Sequence, residues 1–173
     1  MSYVGVTVSL CLPSAHVPAS LTSLEDLSTI TYGASTFLYA PSRNGWLNQC
    51  LSEIVRVHGL SAIPSKAKPL LTLDGASLSE AITELHELLE LFSADPLTLP
   101  AFARWQATAD TLAGVALPGP HSFLSAHAQF QNANCDGEGQ DLPALVAFLW
   151  CQLRLMEYAR DNQLSFISSE IDG

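Results

Sequence analysis

The stretch Val4–Leu12, with the sequence VGVTVSLCL, decides how the chain begins to fold, because its side chains alternate in character. On extended backbone one side would carry Val4, Val6, Val8 and Leu10, and the other would carry Gly5, Thr7, Ser9 and Cys11. This period of two residues predicts a β-strand. A secretory signal would place Lys or Arg before its apolar run, whereas the first basic residue is Arg43. We therefore expect an N-terminal strand in a cytoplasmic protein.

Working outward from this strand, short apolar runs bounded by turn residues predict further strands at residues 36–40, 70–73 and 164–171. Apolar residues at helical spacing predict helices over residues 21–30, 44–58, 77–94, 98–112 and 121–131, and from 141 onward. No repeat or linker interrupts the chain. We predict one α+β domain over residues 1–173, mostly helical with about five to six helices, and a small sheet that includes the N-terminal strand.

Several positions predict where these elements begin, end and pack. Ser77 and Glu80 match a capping box at the start of one helix. Gly59 lies where a left-handed residue ends another helix. Residues 61–69 are expected to form a surface loop, because two lysines lie there between prolines. The helix after Asp141 is apolar around most of its circumference, which is typical of a central helix.

The composition excludes several classes of protein. Hydrophobic residues make up 48% of the chain and charged residues 14%, which excludes an intrinsically disordered protein. The 17 acidic residues outnumber the 7 basic ones, for a formal net charge of −10. Such a charge repels nucleic acid and anionic lipid and attracts basic partners. No apolar run approaches the roughly 18 residues of a membrane span. We expect neither a nucleic-acid partner nor a membrane.

The histidines and cysteines do not predict a metal site. His121, His127 and Cys135 could in principle converge as ligands, but their spacing matches no common zinc site. The acidic loop from Asp136 to Asp141 departs from a calcium-binding loop, since its fifth and sixth positions are Gln and Asp instead of an acidic residue and Gly. We predict no metal and no cofactor.

The chain also lacks the motifs of nucleophilic enzymes, such as GxSxG or SxxK. The one pairing worth retaining is Cys135 with His121 or His127. Asp136 and Glu138 would raise the thiol pKa of that cysteine, which disfavours the reactive thiolate. We therefore expect that the protein is not an enzyme, and rank catalysis by Cys135 and a histidine as the third alternative.

Negative charge is concentrated in two segments. On the helix that begins near Ser77, four glutamates lie opposite the leucine stripe, two leucines lie beside them, and no Lys or Arg offsets the charge. The loop before the last helix holds three more acids. Such a helix face is either simply solvated or suited to a basic partner, with carboxylates steering encounter and leucines adding apolar contact. The predicted partner-binding residues are Glu80, Glu84, Glu87, Leu88, Glu90, Leu91, Asp136, Glu138 and Asp141.

With its strand-first layout, YVGVTVSL at residues 3–10 and SRNGWLNQCL at residues 42–51, this small acidic chain resembles immunity proteins of bacterial polymorphic toxin systems. These include the immunity proteins of contact-dependent inhibition and type VI secretion. The resemblance implies that the protein binds a cognate toxin and occludes its active site, and a basic nuclease toxin would suit the charge of −10. The alternative is a small acidic secretion chaperone or adaptor. The oligomeric state stays open.

Overall fold

The computed structural model describes residues 5–16, 37–39, 42–43, 51–52, 54–56, 58–64, 70–94, 122, 124–128 and 142–172. The strands are β1 (Gly5–Pro13), β2 (Phe37–Tyr39), β3 (Ser42–Arg43), β4 (Leu70–Leu73) and β5 (Leu164–Asp172). The long helices are α1 (Gly75–Ala94) and α2 (Leu142–Asp161), and a 3-10 helix covers Ser14–His16. Residues 51–52, 54–56 and 58 are also helical, as are residues 124–128.

These elements confirm an α+β fold with a small sheet that includes the N-terminal strand. The helix count differs from the predicted five to six, since the described residues contain four α-helical stretches. Two of the predicted helices, over residues 21–30 and 98–112, lie outside the described residues. The predicted strands at 36–40, 70–73 and 164–171 are confirmed to within a residue or two of their bounds.

The sheet is antiparallel throughout and has the strand order β2-β1-β5-β4, with β3 also paired to β1. Strands β1 and β5 pair along their whole length, from Gly5 opposite Asp172 to Pro13 opposite Leu164. Both strands therefore occupy the centre of the sheet. At this centre both faces are buried: Cys11 and Phe166 face the main core, and Leu10 and Ile167, on the opposite face, are equally inaccessible to solvent.

A buried polar cluster joins the sheet to helix α2. The Ser9 hydroxyl lies 3.0 Å from Gln152 Oε1, to which it donates, and 2.8 Å from the Ser168 hydroxyl. All three side chains are fully buried. Within the described part of the chain, Gln152 Nε2 has no hydrogen-bond partner. An orphaned buried donor of this kind costs about 1–3 kcal/mol. The hydrogen bond from Ser9 to Gln152 fixes which residue of α2 faces the paired strands.

Helix α2 is central, as its sequence predicts. It packs against β1 and β5 on one side and against α1 on the other, so that few of its side chains meet solvent. Its apolar positions from Leu145 to Ala159 belong to the main core, together with the inner face of α1. Because an apolar helix gains most from burial on all sides, its place between the sheet and α1 follows from its composition.

Helix α1 begins three residues earlier than the predicted capping box requires. Asp74 is the residue before the helix, and its N–H donates to the Ser77 hydroxyl at 3.1 Å. The Asp74 carbonyl accepts the first helical bond, from the N–H of Leu78. Ser77, the third residue of the helix, thus accepts the hydrogen bond that Glu or Gln at this position accepts in a capping box. The predicted pairing of Ser77 with Glu80 is wrong. The cause is Gly75, which starts the helix at a φ of 45° that other residues rarely adopt.

The segment before β4 differs from the prediction in one part. Gly59 has a φ of 66°, and its N–H donates to the carbonyl of Val55, which confirms the predicted end of the helix there. The expected surface loop that follows is instead buried at its start, because Ala62 and Ile63 belong to the main core. The lysines that predicted exposure lie outside the described residues.

Candidate functional site: a groove beside helix α1

The outward surface of α1 carries its carboxylates in a regular row. Glu80, Glu84, Glu87 and Leu91 follow one another at spacings of four, three and four residues, which places them along one line of a helix surface. Glu80, Glu87 and Leu91 are exposed, whereas Glu84 is half-buried. Glu90 is also exposed but lies further round the helix, beside the row. The structure therefore brings the four predicted glutamates onto one side of α1.

Leu88 does not have the exposed position that was predicted for it. Its exposed fraction is 3%, and it belongs to the main core. Leu91, by contrast, is 38% exposed. A single exposed leucine is common on protein surfaces. The difference follows from their positions on the helix, since Leu88 is turned from the carboxylate row toward the covered side. Leu91 alone of the two leucines offers an accessible side chain.

One carboxylate of the row is held by the turn that follows Gly59. The N–H of Ser61 donates to Glu84 Oε2 at 2.9 Å, and the Ser61 hydroxyl donates to the same oxygen at 2.8 Å. Hydrogen bonds to an ionised carboxylate are stronger than neutral ones, so this pair fixes the Glu84 side chain. It also attaches the turn to the side of α1. The negative charge of Glu84 is not neutralised by these bonds, because both Ser61 donors are uncharged.

A groove of about 310 Å³ lies between that turn and α1. We call it the α1 groove, and it is lined by His58, Leu60, Glu84, Glu87, Leu88 and Leu91. The helix supplies two carboxylates spaced three residues apart, and both elements supply apolar surface. Four of the nine predicted partner-binding residues thus line one concave surface. Glu80 and Glu90 lie on α1 outside this lining.

The other edge of α1, toward α2, carries an ionic cluster. The Nε2 atom of His86 lies 2.8 Å from Glu157 Oε1, and the Arg154 guanidinium donates to the second carboxylate oxygen of Glu157. Arg154 also lies over the Trp150 ring, 5.0 Å from its centroid, in a cation–π contact. Glu157 therefore accepts from two basic groups, and its charge is balanced within the protein.

The carboxylates of the row have no such balance. Among the described residues the ion pairs join His86 to Glu157, Arg154 to Glu157, and Arg160 to Asp161. None of these involves a glutamate of α1. The like charges at spacings of three and four residues cost the isolated helix a few tenths of a kcal/mol per pair.

The remaining predicted site residues lie outside the described residues. These are the second acidic segment, Asp136, Glu138 and Asp141, and the pair Cys135 and His121 of the catalytic alternative. His127 is described and is half-buried on the helical stretch at residues 124–128. That stretch also exposes Leu124, whose exposed fraction is 76%.

The two described cysteines behave as core residues. Cys11 and Cys151 are both buried. Burial raises the pKa of the Cys11 thiol to about 12, so this thiol is protonated at neutral pH. Because the thiolate is the nucleophile, Cys11 is unreactive in the folded protein. In the described part of the chain no group of three or more His, Cys, Asp or Glu side chains is arranged to hold a metal. Nor does any described helix combine the length and hydropathy needed to cross a bilayer.

Sequence reasoning identified the helical half of the α1 groove and missed the other half. His58, Leu60 and Ser61 reach α1 only because the chain reverses at Gly59 and then buries Ala62 and Ile63. The glycine was the available signal, since a left-handed helix end returns the chain toward its own helix. The contact across 23 residues between Ser61 and Glu84 leaves no trace in local periodicity.

No protein-family model, curated protein or solved structure matches this chain.

Proposed function

We propose that the protein is an immunity-type binding protein that neutralises a basic cognate toxin by covering the toxin's active site. The observation that carries the proposal is the row of α1 carboxylates: Glu80 and Glu87 are exposed, and no glutamate of the row takes part in an ion pair among the described residues. A row of this kind is suited to a partner that supplies the missing positive charge. A nuclease toxin fits, because binding phosphate requires a basic surface.

The mechanism is occlusion assisted by electrostatic steering. With a net charge of −10, the protein attracts a basic surface over distances of about a Debye length, roughly 8 Å at physiological ionic strength. The carboxylates of Glu80 and Glu87 then orient the encounter, while Leu91 provides apolar contact that water leaves on binding. A toxin with its phosphate-binding surface covered in this way no longer admits its substrate. We place this encounter in the cytoplasm, where a nuclease toxin meets its target.

The direct test is protection. The reading frame directly upstream is to be expressed as the toxin, with and without this chain, in a sensitive host. We expect growth to be restored only when this chain is present, and the two proteins to co-purify. A toxin-like product whose toxicity is unaffected by this chain would overturn the proposal.

The steering mechanism has its own test. Replacing Glu80, Glu84 and Glu87 with lysine should slow association by about tenfold or more at low salt, with a smaller effect at high salt, because screening weakens the attraction. Stopped-flow mixing with the toxin measures this rate. The single variant Glu87→Lys is then compared with Asp161→Lys, at the exposed end of α2, as its control. Each of these two single variants changes the net charge by two. Equal association rates for Glu87→Lys and Asp161→Lys would show that the carboxylate row does not steer association.

The alternative is a secretion chaperone or adaptor that binds an unfolded segment. It predicts a homodimer in sizing chromatography and no protection against a folded toxin. The third alternative, an enzyme that uses Cys135 and a histidine, predicts a cysteine that reacts selectively with thiol probes. Both outcomes are distinct from those expected of an immunity protein.

A further inference from the structure

We propose that the α1 groove receives one arginine side chain of the partner together with an adjacent aliphatic side chain. The proposal rests on the proposed function and specifies the chemistry of the contact. It follows from the lining of the groove, which combines two carboxylates with three leucines around a volume of about 310 Å³.

The mixed lining requires an occupant that is both cationic and apolar. Glu84 and Glu87 lie one helical turn apart and both face the groove. An aliphatic group alone would displace water from these carboxylates without replacing its hydrogen bonds, which is unfavourable. A small cation alone would leave the exposed surface of Leu91 in contact with water. A positive charge carried next to aliphatic carbon satisfies both parts of the lining.

The arrangement of acceptors favours arginine over lysine. Glu84 Oε2 already accepts two hydrogen bonds from Ser61, so that the carboxylate is fixed before any partner arrives. A planar guanidinium with its forked donors can engage this fixed carboxylate and that of Glu87 at once, whereas an ammonium acts as a point charge. The guanidinium is also more weakly hydrated, which lowers the cost of entering a groove partly lined by leucine.

The size of the groove limits the occupant to a pair of side chains. Pockets for small-molecule ligands span about 300–1,000 Å³, so this groove lies at the small end. None of the described residues that line it is Lys or Arg. Apart from the imidazole of His58, the described lining therefore offers no cationic group, and we expect the partner to supply one.

The test uses the full chain, labelled with ¹⁵N, and the peptide acetyl-Gly-Arg-Leu-Gly-amide. We expect its amide signals to shift at residues 58–61 and 84–91, with a dissociation constant on the order of 1–10 mM. The peptides with Lys in place of Arg, or with Ser in place of Leu, should each bind at least about threefold more weakly.

Two variants on the same helix provide a matched comparison. Glu87→Gln should weaken binding of the Arg-Leu peptide by about fivefold, the upper range for an exposed ion pair, whereas Glu90→Gln should change it by less than twofold. The two variants remove the same charge, and only Glu87 lines the groove. Leu91→Ala should weaken binding by about threefold. Circular dichroism establishes that each variant is folded.

Shifts that map elsewhere, equal effects of Glu87→Gln and Glu90→Gln, or equal binding of the Arg-Leu and Arg-Ser peptides would overturn this inference. The peptide titration does not use the toxin, so its outcome is separate from that of the protection assay. Protection without peptide binding in the groove would leave the immunity function standing and remove the arginine site. Peptide binding without protection would do the reverse.

Discussion

Helix α1 meets its neighbours along two edges, and the charges on these edges are arranged in different ways. Toward α2, Glu157 accepts from His86 and Arg154, so a negative charge is matched inside the protein. Toward the turn after Gly59, Glu84 accepts hydrogen bonds from the neutral donors of Ser61, and neither Glu84 nor Glu87 takes part in an ion pair among the described residues. The first edge closes a contact between two helices. The second leaves charge and apolar surface available for a different molecule.

This contrast bears on how stability and binding are divided on one helix. The inner face of α1 contributes residues such as Leu85 to the main core, where Leu85 is fully buried. The edge of the α1 groove ends at Leu91, which is substantially exposed. Evolution of a binding surface is least costly where side chains contribute little to folding. Substitutions of Leu85 and Leu91 therefore test directly whether one side of α1 supports folding and the other is available for binding.

The largest effect expected is that of Leu85→Ala. Removing a fully buried leucine should lower the free energy of unfolding by about 2–5 kcal/mol, because it creates a cavity in the main core. Leu91→Ala should change that free energy by less than about 0.5 kcal/mol, as is usual at the surface. Urea denaturation followed by circular dichroism measures both. Similar losses for the two variants would show that the groove edge belongs to the core and would end the comparison.

A smaller effect is expected when one charge is removed from each edge. Glu157→Gln should lower the free energy of unfolding by about 1 kcal/mol, since it leaves Arg154 and His86 without their shared carboxylate at a partly exposed position. Glu87→Gln should raise it by a few tenths of a kcal/mol, because it relieves repulsion from Glu84 and Glu90. Thermal unfolding at neutral pH measures the pair. A loss of stability on Glu87→Gln would mean that this carboxylate has a partner within the chain.

The sequence predicted the residues of helix α1 better than it predicted which other segments lie against them, for a physical reason. Periodicity located α1, its buried face and its glutamates, because these depend on spacing along a single helix. The burial of Leu88 was not predicted, since a residue at the boundary of the apolar stripe is buried or exposed according to what packs beside it. Here the turn containing Leu60 lines the same groove as Leu88, and no local pattern predicts that the two segments come together.

The start of α1 shows a related limit. Asp74 and Gly75 match a common turn pair, so the helix was placed after them. A glycine at positive φ permits the chain to enter the helix directly, and a serine at the third helical position then takes the role expected of glutamate. Strand β1 was recognised because alternation is local. Its pairing with β5 along the whole strand depends on residues more than 150 positions away.

The central claim is that the groove edge of α1, and not acidity in general, binds the basic partner. The most direct measurement is the affinity of the toxin for Glu87→Gln and for Glu90→Gln, determined by isothermal titration calorimetry at physiological salt. Our account predicts a loss of about tenfold for Glu87→Gln, equivalent to about 1.4 kcal/mol, and less than twofold for Glu90→Gln. Equal affinities for the two variants would contradict it, because they differ only in whether the removed charge lines the groove.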